Sequence, residues 1–110
     1  MSTARMRRVN EVVREVVGVT IADQLHDPRI GLVTVTAVET SPDLRTAQVH
    51  VSVLGSDEEK EDTLVALRAA RVVLQKELGS QLRMKRTPKL TFHYDDSVER
   101  AARLTKMLEE

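Results

Sequence analysis

Two valine-rich segments separated by a short turn limit most strongly what this chain can fold into. The first is GLVTVTAVE at 31–39, and the second is RTAQVHVSVL at 45–54, in which apolar and polar residues alternate. A period of two and many β-branched residues are typical of β-strands, and the short TSPDL connection predicts an antiparallel hairpin. Leu32 and Val38 depart from the alternation of the first segment. This departure leaves two interpretations, a β-bulge or partial burial of both faces.

Apolar residues recur at helical spacing before the hairpin. The pattern predicts a first helix from about Thr3 to Leu25, which the segment HDPRIG ends because Pro28 disfavours helical geometry at Asp27. After the hairpin, Ser56 and Glu59 form a Ser-x-x-Glu capping box that predicts the start of a second helix.

The second helix carries one interruption of its apolar stripe. Leucines fall on a single face at Leu64, Leu67, Leu74, Leu78 and Leu82. Arg71 would lie in the middle of that face if the helix were straight, and a buried unpaired guanidinium is costly. Either the Arg71 side chain extends outward to water, or the helix breaks between Ala70 and Val72.

The last part of the chain predicts a third strand and a final helix. Apolar and polar residues alternate in KLTFHY at 89–94, and Asp96 with Glu99 resembles a second capping box before a helix from Val98 to about Leu108. The order of elements predicts a small α+β fold with helices on one face of a three-stranded sheet.

Composition narrows the class of protein. The 110 residues can enclose a single core, so we expect one domain over 1–110. The absence of cysteine excludes disulfides, thiol nucleophiles and thiolate metal sites. Apolar runs are too short to span a bilayer, and the amino terminus lacks the features of a secretory signal, so we expect a cytoplasmic protein without a membrane partner.

Charge is distributed very unevenly along a chain whose net charge is zero. Residues 68–89 hold seven cations against one acid, Glu77, and residues 5–14 hold four cations against Glu11. The run DEEKED at 57–62 holds five acids and one lysine. Acids at the start of a helix are favoured by its dipole, and this interpretation of the run is preferred to an acidic docking site.

The basic segments predict a surface for phosphate backbones if the fold brings them together. The alternative is a solvated connector, which the near-total exclusion of acids over residues 68–89 disfavours. Because the only aromatic residues are Phe92 and Tyr94, base recognition on an aromatic platform is not expected. The candidate RNA-binding residues are Arg5, Arg7, Arg8, Arg71, Lys76, Arg83, Lys85, Arg86 and Lys89.

Nothing in the sequence predicts catalysis, a metal site, a cofactor or a small-molecule substrate. The three histidines lack metal-ligand spacing, although His50 and His93 could approach each other on an open sheet face. A hydrolase that uses this pair is a remote alternative. A second alternative is a protein-interaction module that uses the acidic helix start or a sheet edge and does not depend on RNA.

Several motifs together resemble ribosome-binding factor A. They are DPRIGLVTVTAVETSPDLRTAQVHVSVLG, the LVALRAARVVLQKEL helix and LRMKRTPKLTFHYDDSVE, in the same order and spacing from Arg8 to about Leu108. The resemblance implies a type II KH-like domain, and we expect a monomer without enzymatic activity. It also implies binding to the small (30S) ribosomal subunit and its 16S rRNA, a role in late rRNA maturation and ribosome biogenesis, and an association with cold adaptation.

The resemblance also predicts a particular break in the second helix. In this family a helix-kink-helix centred on an Ala-x-Gly element replaces the Gly-x-x-Gly loop of ordinary KH domains. The matching positions here are Ala70, Arg71 and Val72, so valine stands where the family usually has glycine.

Overall fold

In residues 2–109, the part of the chain that the computed structural model describes, a three-stranded sheet carries three of the four helices on one face. The elements follow in the order α1 Ala4–Asp23, β1 Leu32–Thr40, β2 Thr46–Leu54, α2 Asp57–Ala69, α3 Arg71–Gln81, β3 Lys89–Tyr94 and α4 Ser97–Glu109. This order confirms the predicted α+β fold, and the element ends lie within about two residues of the predicted ones.

The hairpin of β1 and β2 is antiparallel, as predicted, and contains a β-bulge between Val35 and Ala37. The bulge places Val38 on the same face as Val35, and both side chains are buried. In the turn, Leu44 adopts a φ of 60°, which costs roughly 1–2 kcal/mol for a residue with a β-carbon. Burial of the Leu44 side chain in the core offsets this cost.

β3 lies on the other side of β2 and runs parallel to it, so the strand order is β1-β2-β3. The long connection through α2 and α3 makes this parallel pairing possible. The pairing sets Leu90 beside Ala47 and Phe92 beside Val49, with all four side chains buried on the helix-covered face.

The long helical segment breaks at Ala70, between α2 and α3. Ser56 and Glu59 form the predicted capping box at the start of α2. Ala70 has φ −83° and ψ 1°, outside the helical region, and the only non-glycine residue with positive φ in residues 2–109 is Leu44. The kink therefore forms without the conformation that glycine would supply, and Val72, in the first turn of α3, is 77% exposed.

One core, aliphatic apart from Phe92, fills the space between the sheet and α1, α2 and α3. Helix α1 contributes Met6, Val9, Val13 and Val17, and the two central helices contribute Leu64, Leu67, Leu74 and Leu78. On β2 the residues facing this core alternate with outward-facing Gln48, His50 and Ser52. The other face of the sheet is therefore polar.

Side chains from α2 and α3 cover the outer edge of β3. The Gln75 side-chain amide donates to the Pro88 carbonyl at 3.0 Å, and its oxygen accepts from the Leu90 N–H at 2.6 Å. Arg68 donates to the Phe92 carbonyl at 3.4 Å. These contacts satisfy backbone groups that an exposed edge strand would otherwise offer to another chain.

The start of α4 differs from the prediction. Asp96 and Glu99 do not form a capping box, because the Glu99 carboxylate instead accepts a hydrogen bond from the Tyr94 hydroxyl at 2.5 Å and lies 3.4 Å from Lys60 Nζ. The Ser97 N–H donates to Asp95 Oδ1 at 2.9 Å. The carboxylate that accepts a backbone hydrogen bond at the start of α4 is therefore that of Asp95 and not that of Asp96.

Beyond its first turn α4 buries no side chain, and Leu104, Met107 and Leu108 are exposed. None of the helices within residues 2–109 is long and apolar enough to cross a membrane.

Replacing Gln75 with leucine is expected to lower the free energy of unfolding by about 1–3 kcal/mol, because the Leu90 N–H and the Pro88 carbonyl would lose their partner. Urea denaturation measures this change as a lower midpoint at constant slope. The matched control is Gln48→Leu on the open face of β2, which should change stability by less than about 0.5 kcal/mol. Equal stability of the two variants would contradict the assigned role of Gln75.

Replacing Thr36 with valine is expected to raise the pKa of the Asp95 carboxyl from about 2 toward 3.8. The hydrogen bond from the Thr36 hydroxyl, at 2.7 Å, is the main cause of the lowered pKa, followed by the bond from the Ser97 backbone. Because the pKa is lower in the folded state, this contact stabilises the fold above about pH 4, and the stabilisation is lost as the pH falls toward 2.

An NMR titration of the Asp95 carboxyl measures this pKa directly. Thr34→Val is the control, because Thr34 lies on β1 opposite Ser52 and is exposed. A Thr36→Val protein in which Asp95 still titrates near 2 would show that another group holds the carboxylate.

Candidate nucleic-acid interface

The fold brings the amino-terminal basic cluster and the connector between α3 and β3, residues 82–88, to opposite sides of one groove. Arg5 and Arg8 project from the first turns of α1, and Arg83 projects from the start of the connector. The groove has a volume of about 470 Å³, and we call it the arginine groove. It is lined by Arg5, Arg8, Val9, Val12, Gln81, Leu82, Arg83 and Met84.

The rest of the connector extends this basic surface to the start of β3. Lys85 and Arg86 are exposed, and Pro88 is fully buried, which fixes the point at which β3 begins. Lys89 is exposed, and its backbone N–H donates to the Arg45 carbonyl at 2.8 Å.

Arg45 is a neighbouring cation that the sequence analysis missed. Its side chain is 72% exposed, and it lies beside Lys89 because Thr46 pairs with Lys89 across the sheet. The two residues are far apart in sequence, so only the parallel pairing of β2 with β3 reveals their proximity.

Arg7 and Lys76 are among the candidate residues that do not line the arginine groove. Arg7 follows Arg5 by two positions, roughly 200° around the helix, and its guanidinium donates to the Ser2 carbonyl at 2.9 Å. Lys76 is exposed and lies two positions from both Leu74 and Leu78, which are buried, so it points away from the core.

Arg71 lies at the kink between α2 and α3. The residue is half-buried, and its Nε atom is buried without a hydrogen-bond partner in residues 2–109. Arg71 is the first residue of α3, after Ala70 and before Val72. The break removes Arg71 from the middle of a straight apolar stripe, which was one of the two interpretations of the sequence.

In the part of the chain that the structure describes, the candidate cations have no acidic partners, although other cations do. Within residues 2–109, ion pairs involve Arg29, Arg45, His50, Lys60 and Arg100. None of the nine candidate residues forms one in that part of the chain. Unpaired guanidinium and ammonium groups can bind phosphate without first breaking an internal contact.

The basic and acidic segments lie at opposite ends of β2. This strand begins beside Lys89 and ends at Leu54, shortly before Asp57, Glu58 and Glu59 in the first turn of α2. Nine extended residues span on the order of 30 Å. The basic connector and the acidic start of α2 are therefore separated along the sheet.

The open face of the sheet brings His50 and His93 together, with ring centroids 5.5 Å apart. Glu39 Oε1 lies 3.2 Å from His50 Nε2, and Thr91 Oγ1 lies 2.9 Å from His93 Nε2. No group of three or more His, Asp or Glu residues in the described range 2–109 is arranged to hold a metal ion. The approach of the two histidines confirms a possibility that the alternation of the strands had raised.

Comparison with known proteins identifies relatives of the same fold. The family model for ribosome-binding factor A matches residues 5–108. The crystal structure of ribosome-binding factor A from Thermus thermophilus superimposes with a TM-score of 0.71 at 30% sequence identity, over 81% of this chain and 94% of that one. A solution NMR structure of a Thermotoga maritima protein, described as a putative ribosome binding factor A, gives a TM-score of 0.65 at 30% identity, over 84% of this chain and 90% of that one.

A third similar structure is a homology model of the Thermus thermophilus factor, fitted into a cryo-electron microscopy map of its complex with the 30S subunit. It matches with a TM-score of 0.64 at 28% identity, over 87% of this chain and 97% of that one. The family model covers nearly the whole sequence, and the order of strands and helices is the one found in these structures. The chain belongs to the ribosome-binding factor A family.

Proposed function

We propose that this chain is a non-enzymatic assembly factor that binds the free small ribosomal subunit through its 16S rRNA. It acts as a monomer in the cytoplasm, assists late maturation and processing of that RNA, and contributes to growth in the cold. The comparison with a 30S complex of a relative supports the choice of partner. Maturation and cold adaptation rest on the family resemblance.

The observation that carries the proposal is the set of unpaired cations around the connector. Arg83, Lys85, Arg86 and Lys89 are exposed and lack acidic partners in the described residues, and Arg5 and Arg8 join Arg83 across the arginine groove. RNA phosphates are the polyanion that such a surface fits, because each contact releases condensed counterions from the RNA.

The individual contacts act together rather than singly. Each exposed cation contributes modestly, and binding weakens steeply as the salt concentration rises. Arg71 adds a charge at the kink, whose backbone geometry fixes the direction of α3 relative to α2. Lys76 and Arg7 lie on other faces and serve as peripheral contacts to RNA that extends beyond the connector.

Replacing Arg83, Lys85 and Arg86 together with glutamate is expected to weaken binding to purified small subunits by at least about a hundredfold at low salt. The slope of log affinity against log salt should fall by about two to three, because three phosphate contacts are lost. Cosedimentation over a range of salt concentrations measures both quantities.

The matched control replaces Arg100, Arg103 and Lys106 of α4 with glutamate, which changes the net charge by the same amount. We expect this control to lose less than about tenfold, because α4 lies outside the connector and the arginine groove. Equal loss in both variants would show that binding follows net charge alone. Unchanged binding in a folded connector variant would overturn the proposed site.

A further inference from the structure

The arginine groove has an apolar floor that phosphate binding alone does not use. Val9 is buried, with only 5% of its surface exposed. Val12, Leu82 and Met84 are partly buried and pack against the core. They leave an apolar surface in the groove between α1 and the connector.

The rim of the groove is cationic on both sides. Arg5 and Arg8 lie three residues apart on one face of α1, and Arg83 faces them from the connector. None of the three forms an ion pair within residues 2–109. Guanidinium groups bind phosphates and also stack on the flat faces of bases.

The groove is limited in one direction by negative charge. It continues between α1 and α3 into a neighbouring groove of about 300 Å³, which shares Val12 and Gln81 but is lined by Glu15 and Glu77. Carboxylates repel an RNA backbone at short range. A phosphate chain can therefore cross the arginine end but cannot run along the groove between the two helices.

We propose that the arginine groove holds the base of one unpaired RNA nucleotide on its apolar floor, while the flanking phosphates contact Arg5, Arg8 and Arg83. This inference rests on the proposed function and adds a class of ligand to it, single-stranded RNA in place of a purely duplex surface. The volume of about 470 Å³ lies within the range of small-molecule sites. Gln81, where the groove joins its acidic neighbour, offers an amide donor and acceptor to the base edge.

The charge of the rim favours a nucleotide over other occupants. A neutral apolar ligand would use the floor and leave three arginines without partners. Duplex RNA would use the arginines and leave the floor empty, because its bases are stacked inside the helix. A splayed nucleotide uses both parts of the site at once.

The test compares two labelled RNAs of about six nucleotides, one a run of adenosines and the other the same backbone with abasic positions. Fluorescence anisotropy should show that the protein binds the adenosine strand about tenfold more tightly, because only that strand can bury a base against the apolar floor while both strands offer the same phosphates. Equal binding of both strands, or binding of neither, would overturn the base site. If the groove instead serves to bind an acidic segment of a protein, we expect one of these two results, because such a site does not recognise a base.

Variants separate the floor from the rim. Met84→Gln keeps the charge and should reduce the tenfold preference to about twofold or less without changing the salt slope, whereas Met84→Leu should retain the preference. Arg5→Ala with Arg8→Ala should weaken both strands by the same factor and lower the salt slope by about one to two. Leu104→Gln, at an exposed position of α4 outside the groove lining, is the control and should alter nothing.

Cosedimentation with small subunits separates failure of the base site from failure of the proposed function. A protein that cosediments with small subunits through the connector but binds both RNAs equally would lose the base site and keep its proposed function. A Met84→Gln protein that is stably folded and still prefers the adenosine strand tenfold would overturn the assignment of the floor.

Discussion

The parallel pairing of β3 with β2 is the constraint on which the other features depend. It buries Leu90 and Phe92 in the core and sets Lys89 beside the start of β2. At the other end of β3, the Asp95 N–H donates to the Val51 carbonyl at 2.8 Å, and the Asp95 carboxylate reaches Thr36 on β1. One register thus aligns the connector, the core and the start of α4.

Local sequence patterns predicted most of the fold because the interactions behind them are local. The hairpin and the capping box at Ser56 each follow from residues within a few positions of one another. The leucine stripe around Arg71 left two interpretations open, a break or an outward-pointing side chain, and the family resemblance favoured the break. The incorrect capping box at Asp96 shows the limit of such patterns. The Glu99 side chain instead contacts Tyr94 and Lys60. Lys60 lies on α2, far from Glu99 in sequence, so a local pattern cannot predict that contact.

The candidate site was predictable in composition but not in geometry. The density of cations in the connector is visible in the sequence, and the helical phase that turns Arg7 away from Arg5 could also have been calculated. The meeting of Arg8 with Arg83, and of Arg45 with Lys89, depends on tertiary packing. The apolar floor of the groove also depends on tertiary packing, because the valines of α1 and the leucine and methionine of the connector could equally be core residues.

The separation of charge along β2 explains how a protein of zero net charge can still be attracted to a polyanion. At physiological ionic strength, exposed charges are screened beyond about 8 Å. The acidic start of α2 lies on the order of 30 Å from the connector, so it cannot cancel the field of Arg83, Lys85 and Arg86 at an approaching phosphate. These acidic residues instead repel a polyanion that approaches the end of the protein opposite the connector. In the proposed function, this separation of charge orients the encounter with the connector foremost, which a uniformly neutral surface could not do.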